Sequence, residues 1–154
     1  MRTKYDQNKF AIYKGKIYSA YIKEGFIRLR SYDIKDVEEN GFEEYFSTIY
    51  SSELKCIKDV SPYDVTEYYE QRFEAKYKGK KVGIMEGDDN EVNIQPDPTD
   101  ITYEELLKLG FEQVEKGVYE KTLPTSDLTD IHPIKKNLLD YAKQDFDEIN
   151  KSKK

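Results

Sequence analysis

The chain has 154 residues with a formal net charge of -6, 36% charged and only 37% hydrophobic residues, yet it holds 14 Tyr and 7 Phe. That length suits one core or two small units that need each other, and the aromatic content argues against general disorder. Net acidity disfavours phosphate backbones as a ligand, the single Cys56 excludes an internal disulfide, and no run approaches the ~18 apolar residues that span a bilayer.

The opening "MRTKYDQNKF" has no apolar run of signal-peptide length behind its charges, so a soluble, cytoplasmic protein is expected. "KFAIY" and "KIYSAYI" alternate like strands and form a first hairpin; Gly25 turns the chain into a third strand, "FIRLRSY". A short helical turn over Ile34 to Asn40 ends at Gly41, and "GFEEYFSTIYSSEL", Gly41 to Leu54, supplies the strands that close the unit. "KCIKDVSPYDVTEY" then reads as a packed connector in which Ser61, Pro62 and Asp64 start a short helix.

The same order returns. Phe73 to Tyr77 and Lys81 to Glu86 make a hairpin through Lys78-Gly79, Gly87 to Asn90 turn, and "EVNIQP" is a third strand that Pro96 stops. In "DPTDITYEELLKLG" Asp100 or Thr102 caps a helix, Glu104 and Glu105 suit its first turn, and Gly110 ends it. Ile101, Leu106, Leu107 and Leu109 form its apolar side, and "FEQVE" and "VYEKTL" close the unit through Lys116-Gly117. After Pro124, "TSDLTDIH" reads as a loop. Pro133 opens a long helix that puts Ile134, Leu138, Tyr141, Ala142, Phe146 and Ile149 on one face, to cover an open side of the repeats or to meet a partner.

"GFEEYFSTIYSSEL" and "GFEQVEKGVYEKTL" are near copies, as are "YDQNKFAIYKGK" and "YEQRFEAKYKGK". Self-similarity of this kind marks one supersecondary unit used twice. The expected fold is α+β and mainly β: two tandem β-β-β-α-β-β repeats forming small bent sheets or SH3-like barrels, plus a C-terminal amphipathic helix. The divisions are 1–55 for the first repeat, 56–68 for the connector, 69–124 for the second repeat and 125–154 for the loop and helix.

Residues for catalysis are scarce. The only histidine, His132, precedes Pro133 at an expected helix start, and it meets Cys56 only if folding brings them together. One His and one Cys cannot build a zinc centre, and Asp88, Asp89, Asn90 and Glu91 lack the alternation of a calcium loop. No Gly-rich phosphate loop is present, and Glu38, Glu39, Glu43 and Glu44 read as solvated surface. Neither an enzyme nor a cofactor or metal is expected; a site assembled from carboxylates and tyrosines is the enzymatic alternative.

Two binding readings remain. Arg28 and Arg30 share one strand face among aromatics, which suits a nucleic-acid-binding regulator or mobile-element protein, or simply an outward face. The other rests on Tyr, which gives rigid contact area with a polar tip, and on carboxylates crowded into the second repeat. Asp88, Asp89, Glu91, Asp97, Asp100 and Glu104 are the expected partner-binding residues, facing a basic protein.

A short, acidic, Tyr-rich, β-rich chain without catalytic equipment resembles the small immunity proteins encoded beside polymorphic toxins in Gram-positive bacteria. The resemblance implies a cytoplasmic protein that binds a cognate toxin domain and blocks its active site, with acidic side chains set against a basic cleft when the toxin is a nuclease.

Overall fold

The structure, a computed structural model, describes residues 4–45 and 55–152. They divide into two units with separate cores: a first unit of residues 9–45, 55–70 and 136–152, and a second of residues 4–8 and 71–135. Both are mostly antiparallel sheet. Chain order and unit membership part at the ends, since residues 4–8 join the second unit and the C-terminal helix joins the first.

In the first unit β1 (Asn8–Tyr13), β2 (Lys16–Lys23) and β3 (Phe26–Ser31) form a meander in which Tyr13 pairs Lys16 and Lys23 pairs Phe26. Alternation decides which side is buried: Tyr18 and Ala20 on β2 and Ile27 and Leu29 on β3 face the core, while Arg28 and Arg30 face away. Helix α1 (Ile34–Asn40) starts at Asp33, whose side chain accepts from the Lys35 N–H, and ends at Gly41 with φ 75°. The chain continues through the buried Phe42 into β4 (Glu43–Tyr45), and β5 (Lys55–Val60) enters between β4 and β3, giving the order β4-β5-β3-β2-β1.

The last strand of this unit therefore lies in Lys55–Val60, inside the segment expected to be a connector; residues 46–54, where "STIYSSEL" ends, lie outside the described residues. Cys56 explains the difference, since it is fully buried and β5 pairs on both sides, with Ser31 on β3 and Glu44 on β4. The short helix expected at Pro62 is a 3-10 turn, Pro62–Asp64, with the Ser61 hydroxyl accepting from the Tyr63 N–H.

Strand β6 (Glu67–Tyr77) begins in the first unit and continues into the second. There it is followed by β7 (Lys80–Gly87), β8 (Glu91–Pro96), α2 (Tyr103–Lys108), β9 (Glu112–Glu115) and β10 (Val118–Pro124), in the sheet order β9-β10-β8-β7-β6. Val82, Ile84, Val92 and Ile94 form the sheet side of its core, with Ile101, Leu106 and Phe111 packed on them. Leu107 departs from the expectation: it is 63% exposed, because its position on so short a helix turns it away from the side that buries Ile101 and Leu106.

The loop and helix expected after Pro124 are also different. A 3-10 turn, Thr125–Asp127, leads into β11 (Leu128–Asn137), which pairs with β6, and the helix α3 spans Leu139–Ser152. The Leu138 N–H donates to the Tyr68 carbonyl at 2.8 Å, a sheet-like commitment that postpones the helix, and the Asn137 side chain accepts from the Leu139 N–H. Within the first unit α3 buries Ala142, sets Phe146 edge-on to Phe26 and Tyr63, and lays Ile149 over Gly25. Among the described residues no helix is long and apolar enough to cross a membrane.

Candidate protein-binding surface

The six carboxylates expected to bind a partner fall into two groups at opposite ends of β8, about 20 Å apart at ~3.3 Å per strand residue. At the first end Asp88 accepts from the backbone N–H groups of Asn90 and Glu91 at 2.8 and 3.1 Å, and these bonds hold its pKa below the ordinary value. Asp89 meets the Lys4 ammonium at 2.9 Å and the Tyr5 hydroxyl at 3.2 Å; the Lys4 hydrogen bond is the main reason its pKa is lowered. Glu91 is exposed.

Beyond the other end, Asp97 accepts from the Thr99 hydroxyl at 2.6 Å and the Thr99 N–H at 2.8 Å, which lowers its pKa, and Asp100 accepts from the Lys81 N–H at 2.6 Å. Glu104 stands exposed in the first turn of α2. Four of the six acids thus shape turns or pair locally, while Glu91 and Glu104 project freely. The lowered pKa values of Asp88, Asp89 and Asp97 mean only that their charges persist to lower pH.

The elements that carry the second group also form a cleft of about 490 Å³, walled mainly by Pro96, Pro98, Ile101, Tyr103, Leu106 and Tyr119, with none of the three carboxylates in its wall. It lies where the core opens between the end of β8, helix α2 and the β9–β10 turn. Helix α2 is fixed there by a reciprocal cap, with Thr102 Oγ1 accepting from the Glu105 N–H and Glu105 Oε1 from the Thr102 N–H. Glu105 also pairs with Lys80 at 3.1 Å. At the far end Lys121 Nζ donates to the Leu109 carbonyl at 2.7 Å and to the Tyr77 hydroxyl at 2.9 Å, placing a cation at the helix C-terminus.

The Tyr103 and Tyr119 rings meet edge to face with centroids 6.2 Å apart. Burial, followed by the neighbouring Tyr103, raises the Tyr119 pKa, so its hydroxyl stays protonated at neutral pH. Tyr103 is 65% exposed, and Leu107, one turn further along α2, continues the apolar surface on the same side of the helix. The sequence reading names neither tyrosine as a binding residue and puts Leu107 on the apolar side of the helix. The i, i+4 spacing of Tyr103 and Leu107, set against the inward Leu106, is the signal that could have found them.

Both arginines of the nucleic-acid alternative have partners within the first unit. Arg28 donates from Nε and a terminal nitrogen to both Asp59 oxygens at 2.7 and 2.9 Å, and Arg30 donates to Ser19 Oγ at 2.9 Å and lies over the Tyr21 ring. Both guanidinium groups lie on the outward face of the sheet, and among the described residues Arg30 Nε is buried without a hydrogen-bond partner.

A second polar cluster is buried in the first unit. The Asp36 carboxylate accepts from the Tyr18 hydroxyl at 2.7 Å, Asn40 Nδ2 at 2.8 Å, Lys16 Nζ at 3.1 Å and the Ser31 hydroxyl. Burial alone would push its pKa up, but these four donors outweigh burial and bring it down to about 2. Burial and the same hydrogen bond to Asp36 raise the Tyr18 pKa. A carboxylate with every acceptor direction filled holds α1 on the sheet and offers no basic lone pair for chemistry.

Cys56 is buried and burial raises its pKa, which leaves it a poor nucleophile. His132 is exposed on β11 with Nδ1 2.8 Å from the Asp130 carbonyl. Among the described residues no group of His, Cys, Asp and Glu is arranged to hold a metal ion.

No curated protein and no solved structure matches the chain. The model of one protein family does, over residues 5–139, which takes in the second unit's core, most of the first unit's core, the cleft and the buried Asp36 cluster. By that match the chain belongs to the family described as uncharacterised conserved protein UCP033725.

Proposed function

We propose that this protein is a non-enzymatic protein-binding module, an immunity protein that binds and blocks a cognate toxin domain through an acidic, Tyr-rich surface of its second unit. The observation that supports the reading is the open cleft beside α2, with the exposed Tyr103 in its wall and the exposed Leu107 one turn further along the helix. Exposed apolar side chains rimmed by polar ones mark protein interfaces, and carboxylates around them steer a basic partner onto the surface. A cytoplasmic inhibitor needs no more chemistry than this.

The test is co-expression with the product of the gene immediately upstream. A stoichiometric complex is expected with a toxin domain encoded there, and the association rate should fall as salt rises. An upstream product that is no toxin, or a toxin that this protein neither binds nor neutralises, would sink the reading.

We also propose that the two units are copies of one duplicated β-β-β-α-β-β unit with a bent sheet. Several internal parallels support this. In each, the third residue of the helix is an acid that meets the lysine following the first hairpin turn, Asp36 with Lys16 and Glu105 with Lys80, both at 3.1 Å. In each, a left-handed glycine ends the helix close to a lysine of the fifth strand, Gly41 near Lys58 and Gly110 near Lys121. Lys58 pairs with Leu29 and Lys121 with Ile94, two fully buried residues of the third strand. Under this pairing Leu123 corresponds to Val60 rather than to Leu54, and the first copy has a longer path between its fourth and fifth strands. A crystal structure with a different strand order in either unit would refute the duplication.

A further inference from the structure

We infer that a groove on the outward face of the second unit's sheet, floored by Gly83, binds a free α-amino acid with an apolar side chain. Seven of the eight glycines have a positive φ; Gly83, in the middle of β7, does not, and a Cβ built on it would meet nothing within 4 Å. Neither backbone conformation nor packing asks for glycine there, and glycine inside a strand weakens it. What the missing side chain does is leave bare backbone as the floor of a groove of about 290 Å³. A strand glycine of this kind marks close approach by another molecule. Under the duplication proposed above, Glu74 opposite Gly83 corresponds to Phe10 opposite Ser19 in the first unit, where the Ser19 hydroxyl accepts from Arg30.

The charges that line the groove suit a zwitterion. Arg72 and Glu74 lie two residues apart on β6, about 7 Å along one face, and neither has a hydrogen bond or an ion pair among the described residues. A guanidinium takes a carboxylate through two parallel N–H donors, and a carboxylate accepts from an ammonium; an α-amino acid carries both groups on one carbon. The third charged group in the wall, Asp97, is already held by the Thr99 hydroxyl and N–H and feels Lys81 and Arg72 only through space. Lys76 and Lys81 face each other in the next outward row and stand outside the lining.

Phe73, Met85 and Pro98 give apolar surface for a side chain to cover, and the volume is at the small end of ligand sites. The groove borders the cleft beside α2 along Gln95, Pro96 and Pro98, which line both. An amino acid fits there whether or not a protein docks at that cleft.

The probe is L-leucine titrated into the isotope-labelled full chain, followed by the backbone resonances of Gly83 and Glu74 in NMR. Saturation is expected with a dissociation constant of about 5 mM or lower, and at least about tenfold weaker binding of N-acetyl-L-leucine, which lacks the ammonium, and of L-leucinamide, which lacks the carboxylate. Arg72→Gln and Glu74→Gln should each weaken leucine binding at least about fivefold. Gly83→Val gives the sharpest contrast. Valine suits a strand and its Cβ meets no neighbour, so the urea midpoint should equal or exceed that of the wild type while leucine binding is lost. No saturation by about 20 mM leucine overturns the inference. So does equal binding of either blocked derivative, or unchanged binding in Gly83→Val or in both Arg72→Gln and Glu74→Gln.

Discussion

Asp36 illustrates how much a single side chain contributes to this scaffold. It is 1% exposed, and replacing it with Asn removes the charge its four donors are arranged to meet. Asp36→Asn should lower unfolding stability by about 2–4 kcal/mol, measured as a shift of the urea midpoint. The pH dependence has a definite sign: the folded pKa of about 2 lies below the ordinary 3.8, so the stabilisation is complete above about pH 4 and is lost as pH falls towards 2. A shift of that size corresponds to about 2 kcal/mol, and acid titration of wild type and Asp36→Asn should differ by this loss. Gly110 is the matching backbone case, with φ 83° and a Cβ that would fall 2.8 Å from Lys121 Nζ. Gly110→Ala should cost about 1 kcal/mol or more, seen in thermal unfolding. The glycine was legible in the sequence as a helix stop, whereas the donors to Asp36 are gathered from β2, the end of β3 and α1 itself, and only the folded sheet brings Lys16, Tyr18 and Ser31 to it.

At the scale of elements, propensity and tertiary bonding share the decisions. Helix α2 was legible from its caps: Thr102 and Glu105 form the reciprocal pair, and Thr102→Ala should cost about 1 kcal/mol of stability. Helix α3 was legible from its periodicity but not from its start. Ile134 and Leu138 fit a helical spacing, yet β11 continues through Asn137 because β6 supplies a pairing partner that the local sequence does not contain. Its face is held by Phe146, with ring centroids 5.4 Å from Phe26 and 6.1 Å from Tyr63. Phe146→Ala should lower stability by about 2–3 kcal/mol, below the cost of a fully buried phenylalanine because this side chain is only half-buried. A melting temperature unchanged by that substitution would mean that α3 does not stabilise the first unit.

For the molecule as a whole, the two cores carry equivalent demands. Leu29 and Ile94 are both fully buried and both pair with a lysine of the neighbouring strand, so the proposed duplication predicts similar losses of about 2–5 kcal/mol for Leu29→Ala and Ile94→Ala in chemical denaturation. By itself the sequence determined the mainly β character, the hairpin turns, the positions of α1 and α2 and the division of inward from outward residues on β2 and β3. These depend on alternation, capping and turn chemistry, which act within a few residues. Tertiary structure decided the rest. Lys55–Val60 is a strand because two other strands bond to it, the expected acidic patch separates because β8 runs between its halves, and Arg28 is occupied because Asp59 lies across the sheet. The cleft between Tyr103 and Tyr119 exists only once a helix and a hairpin from different parts of the chain meet, and distance in space is the quantity that a linear pattern does not encode.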